Sequence, residues 1–143
     1  MTTAAQEVGN WMGRRLMHHP VEQLSGLEGE EALTALQDLL EQVLPVDEER
    51  RRESIVVIEL IHASRTQPVF AASASQMASD LYDIIAAALA SLKIPNPSAA
   101  ARQVSVLIGG LTLDAVTPHG ALTVYQLRST LRDALRNFLN AER

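Results

Sequence analysis

Residues 44–64 read LPVDEERRRESIVVIELIHAS. Seven consecutive charges run straight into a β-branched apolar stretch, and the fold turns on whether they form a patch, a linker or the start of an element. Asp47 suits a helix N-cap, and Glu48 and Glu49 follow in the first turn, where the macrodipole favours anions. Glu48 stands four residues before Arg52, a pairing worth roughly 0.3–0.5 kcal/mol on a helix surface. Taken alone, Ile55–Ile58 could be a buried strand. No turn residue separates it from the charges before it or from ELIHAS after it, so continuity argues for one helix. Four acids offset the three arginines, which removes the basic-patch reading: the charges are a helix start. Past Ser54 this helix is apolar nearly all round, which predicts a central position.

Working outward, helical punctuation divides the chain further. A helix over residues 3–19 carries Val8, Trp11, Met12, Leu16 and Met17 on one face and stops at Pro20. Ser25 and Glu28 have capping-box spacing ahead of a helix to about Val43, with a stripe of Leu33, Leu36, Leu39, Leu40 and Val43. Pro68 opens a long helix to about Lys93, its inner face marked by Phe70, Ala74, Met77, Leu81, Ile84, Ile85 and Leu89. Asn96–Pro97 opens another to about Val116. Thr123 with Gln126 forms a second capping box, with Leu122 and Leu127 as a hydrophobic staple, ahead of a last helix to about Asn140. The expectation is an all-α bundle of about six helices in one domain, residues 1–143.

Composition fits that expectation. The chain is 47% hydrophobic with only 3% aromatic residues, so its core must be built from Ala, Leu, Ile and Val, which favours closely packed helices. No cysteine is present, excluding disulfides, thiolate metal sites and Cys nucleophiles. The net charge of −5 and the single lysine, Lys93, are unlike the clustered basic footprint of a nucleic-acid reader. MTTAAQEV does not read as a signal peptide, and the window IIAAALASL is too short to span a bilayer. A soluble, cytoplasmic chain without membrane contact is expected.

Catalytic chemistry finds little to stand on. His18 and His19 are adjacent and diverge on a helix, and His119 sits in a turn. His62 lies among Ile58, Leu60 and Ile61, so it is expected to meet a buried partner or face a cavity. Asp80 and Asp83 read as helix-surface charges. No nucleophile elbow or phosphate-binding glycine loop occurs, and no enzyme activity, metal or cofactor is expected. Gly109 and Gly110 inside an apolar helix each cost about 1 kcal/mol relative to Ala. Close approach of another helix is the first explanation, and a bend over a cavity the second.

The last two helices carry an association signal, read as a dimer face in preference to simple core packing within one chain. Val104, Leu107, Ile108, Leu111 and Ala115 make one stripe, while Val106, Leu113 and Val116 add apolar surface elsewhere. Val124, Leu127, Leu131, Ala134, Leu135, Phe138 and Leu139 form a wide face beside a ridge of Arg128, Arg132 and Arg136. The expected homodimer interface is Leu107, Gly109, Gly110, Leu111, Val124, Leu127, Leu131, Leu135 and Phe138, from a hairpin over residues 98–140 that pairs with its copy as a four-helix bundle.

Two stretches, LPVDEERRRESIVVIELIHASRTQPVFAA and PSAAARQVSVLIGGLTLDAV, resemble the C-terminal regulatory domain of TetR-family transcriptional regulators. The order and spacing of helices agree along essentially the whole chain, and residues 3–19 look like that family's connecting helix. The family's three-helix DNA-binding domain has no counterpart here, so DNA contact is expected only through a domain absent from this chain. The resemblance implies a ligand-sensing, dimerising domain taking a mostly apolar small-molecule effector, near Trp11, Met12, His62, Met77, Leu81, Tyr82 and Thr112. The alternative function is a small all-helical dimeric interaction protein without a ligand.

Overall fold

The computed structural model describes residues 4–140, the side chains of Ala4, Ala5, Val8 and Met17 excepted. Six α-helices follow in order: α1 (Ala4–Met17), α2 (Gly29–Glu41), α3 (Glu48–Ser64), α4 (Pro68–Ser91), α5 (Pro97–Val116) and α6 (Val124–Asn140). A single 3-10 turn, Val21–Leu24, joins α1 to α2. No strand occurs among the described residues, so the fold is all-α as the spacing predicts. The expected start at Thr3, and the places of Val8 and Met17 on the α1 face, lie outside the described residues.

The local signals act at four helix starts and fail at a fifth. Asp47 Oδ1 accepts from the Arg50 amide at 2.8 Å, capping α3. The Thr123 hydroxyl accepts from the Gln126 amide at 3.1 Å, and Gln126 returns a bond to the Thr123 amide at 3.0 Å. Pro68 and Pro97 open α4 and α5, where a missing N–H costs nothing. The expected Ser25–Glu28 box does not form: the 3-10 turn takes up residues before Ser25, and Glu28 itself is the residue before α2, making no side-chain cap.

The core is one continuous cluster in which two helix pairings stand out. Leu33, Leu36 and Leu40 of α2 meet Leu127, Leu131 and Leu135 of α6, all essentially inaccessible to solvent. Ile85, Ala88 and Leu89 of α4 pack with Ala101, Val104 and Ile108 of α5. Each fully buried Leu or Ile contributes about 1.5–3 kcal/mol by leaving water. This arrangement corrects the expected interface. Leu111, Leu127, Leu131 and Leu135 lie inside the chain's own core, and for the three α6 leucines α2 supplies the cover that a second copy was expected to supply. Leu107 and Phe138 are half-buried, while Gly109, Gly110 and Val124 stay exposed.

The charged run knits the bundle together. Arg50 donates to the Glu41 carbonyl at the end of α2 (2.9 Å), and Arg51 to the Ala115 carbonyl near the end of α5 (2.8 Å). Glu53 is buried and accepts both guanidinium nitrogens of Arg15 from α1, each at 2.7 Å. Arg128, Arg132 and Arg136 are likewise consumed within the chain, reaching Glu41 (3.0 Å), Gln37 (2.7 Å) and Glu30 (2.8 and 3.5 Å) of α2.

The second half of α3 is not central. Ile55, Ile61 and His62 are exposed, and Val56, Val57 and Ile58 are only half-buried. The uniform apolar pattern fails as a burial signal here because part of that surface lines open space. α5 is long and apolar enough, by length and composition, to cross a membrane. Its Ala101, Val104, Ile108, Leu111 and Ala115 side faces the core instead.

Candidate functional site

The open space is a cleft of about 780 Å³ between α1, α3, α4 and α5, within the range that holds small-molecule ligands. Small residues stand along three of its walls: Gly9 and Gly13 on α1, Ala74 and Ala78 on α4, Gly109 on α5. Its deeper part is apolar, with Leu16, Val43, Val57, Ile58, Ile84 and Ile108. The rim is polar and carries Asn10, Gln76 and Asp80. A Cβ on Gly109 or Gly110 would meet nothing within 4 Å. Among the described residues no other helix therefore approaches either glycine closely. Gly109 borders the cleft, and Gly110 stands on the exposed side.

Of the seven residues expected near an effector, the fold brings four to this cleft: Met12, Met77, Leu81 and Thr112. Trp11 points away from it on the exposed side of α1. His62 is exposed rather than buried, since it falls on the outer side of α3. Tyr82 also lies outside the lining, its hydroxyl donating to the Ser98 carbonyl at 3.2 Å and its ring lying 5.5 Å from the Arg102 guanidinium carbon. Sequence reasoning missed Ser54 and Ser105, which line the cleft from α3 and α5. Small hydroxyl residues inside apolar helices were their one available signal.

Arg15 and Glu53 clasp α1 to α3 beside the cleft. Their side chains are 18% and 4% exposed, and Arg15 also donates to the Gln42 carbonyl at 2.8 Å. The hydrogen bond to Glu53 is the chief cause holding the Arg15 pKa above its ordinary value, against the opposing effect of burial. Glu53 is followed directly by the cleft-lining Ser54. The clasp and the cleft wall are thus adjacent positions of one helix.

No group of three or more His, Asp or Glu side chains is placed to hold a metal among the described residues. Asp80 accepts from Gln76 at 2.7 Å, and His19 Nδ1 lies 3.3 Å from the Arg15 carbonyl. What remains is an all-helical scaffold with a largely apolar cleft walled on one side by its first helix. The chain matches the family of C-terminal domains of BetI-type transcriptional repressors over residues 32–140, and it belongs to that family, a C-terminal domain of TetR-type transcriptional regulators. No curated protein and no solved structure gives a significant match.

Proposed function

We propose that this chain is a ligand-sensing and dimerising domain of a TetR-type regulator, binding a mostly apolar small molecule. The observation that carries the reading is the cleft itself, with α1 as one of its walls. An occupant touches α1 and the body of the domain together, so it has a differential interaction with any two positions of α1. The Arg15–Glu53 clasp is the fixed point about which such a shift is transmitted. DNA contact belongs to a separate reading domain, and the acidic balance of this chain gives duplex DNA no footprint.

For dimerisation, the surface is the outer side of α5. Val106 is 71% exposed, Leu113 is exposed, and the two glycines beside them leave room for a second backbone. Tyr125 on α6 is a further exposed aromatic, 80% open to solvent. This surface replaces the buried leucine seam as the candidate for contact with a second copy.

Fluorescence titration with N-phenyl-1-naphthylamine, a neutral apolar dye, tests the cleft. One saturable site per chain is expected. Ala74→Trp projects bulk into the cleft from α4 and should weaken binding at least about tenfold, the effect of losing about 1.4 kcal/mol, while leaving the far-UV spectrum unchanged. Equal dye binding by this variant places the dye elsewhere and removes the support for a ligand-sensing role.

A further inference from the structure

Hydroxyl side chains within helices commonly bond back to the carbonyl of the preceding turn. Thr112, Thr117, Ser129 and Ser64 all do so, to Ile108, Leu113, Tyr125 and Ile61 at 2.7–2.9 Å. Ser54 and Ser105 do not. Their Oγ atoms are buried without a hydrogen-bond partner, the two such side-chain atoms among the described residues. Both residues line the cleft, from facing helices, and Ser54 is 1% exposed. A buried hydroxyl lacking a partner is disfavoured in proportion to the hydrogen bond it forgoes, so a native structure retains one where something else supplies that bond.

The rest of the lining restricts what can supply it. Among the described lining residues none is Lys, Arg, His or aromatic. The one carboxylate, Asp80, sits on the exposed rim and is engaged by Gln76. A carboxylate ligand would enter without a counter-charge, and a quaternary ammonium without an aromatic face. An uncharged oxygen function meets neither obstacle and can both accept from and donate to a serine hydroxyl.

We infer that Ser54 and Ser105 are the specificity-determining hydrogen-bond groups of the cleft, selecting an uncharged, largely apolar molecule that carries a hydroxyl or carbonyl oxygen. This rests on the ligand-sensing reading above and adds to it the chemical class of the occupant. Ser54 also ties recognition to the clasp, since Glu53 beside it holds Arg15 of α1. A polar group drawn to Ser54 is therefore drawn to the point where α1 is anchored.

The test is competition against the naphthylamine dye with four probes of one chain length: 1-decanol, 1-chlorodecane, decanoate and decyltrimethylammonium. The full chain is compared with Ser54→Ala and Ser105→Ala. Decanol should displace the dye at concentrations at least about tenfold below either charged probe. Each alanine variant should weaken decanol roughly three- to tenfold, the loss of one hydrogen bond, and leave chlorodecane within about twofold. Melting temperatures should stay level or rise, because each variant removes an unpartnered buried hydroxyl. Charged probes binding as tightly as decanol overturn the inferred class. Decanol binding unchanged in both variants overturns the role of the serines while the cleft stands. If neither the dye nor any probe binds the parent chain, the cleft reading fails and this inference fails with it.

Discussion

Replacing Glu53 with Met gives the sharpest test of how α1 is held. Glu53 accepts two charge-assisted hydrogen bonds of 2.7 Å from Arg15, and its side chain is 4% exposed. Removing one member of a buried ion pair costs about 3–5 kcal/mol, because a desolvated charge is left behind. Arg15 is 18% exposed and keeps the Gln42 carbonyl at 2.8 Å and Glu49 at 3.9 Å. The cost should therefore fall at the lower end, about 3 kcal/mol. Arg15→Met leaves the more deeply buried Glu53 carboxylate alone and should cost more, toward about 5 kcal/mol. The double variant replaces the pair with two apolar chains of comparable length and should stay within about 1 kcal/mol of the parent. Urea unfolding followed at 222 nm gives all four stabilities, and the cycle then yields a coupling energy of several kcal/mol. The raised pKa of Arg15 means that its charge contributes stability at all pH values below the strongly alkaline range where a guanidinium titrates, and that this is lost only as pH rises through that range. The cycle measured at neutral pH is therefore free of arginine titration. A double variant that loses the sum of the two single effects would show that the residues do not interact, and the clasp would be abandoned.

Leu131, fully buried between α2 and α6, should lose about 2–5 kcal/mol on replacement by Ala, and Leu131→Asp should prevent folding at every protein concentration. A folded, monomeric Leu131→Asp chain would place that leucine on a surface after all. Val106→Asp on the outer side of α5 should instead leave the urea midpoint nearly unchanged and convert a dimer to a monomer in sedimentation equilibrium. An unaltered dimer would move the interface away from α5.

Much of the fold was legible in the sequence because its signals are local. Asp47, the Thr123–Gln126 pair and the prolines at 68 and 97 each act within one helical turn, so they depend little on distant residues. The stripe of α2 and that of α6 were equally plain. Only the tertiary structure decided that they pair with each other. Periodicity states that a face must be covered and not by what, and a leucine seam closed within one chain reads the same as one shared between two. For α3 the difficulty runs the other way, since a wall facing an open cleft needs the same apolar side chains as a wall facing a packed core. His62 was assigned inward on that ground and lies outside. The cleft is a space between four helices, bordered by Gly9, Gly13, Ala74 and Gly109 among others, and a space has no residue of its own to read. Ser54 and Ser105 belong to the same class: their identity was in the sequence throughout, but the absence of a partner for a hydroxyl is a property of the space around it.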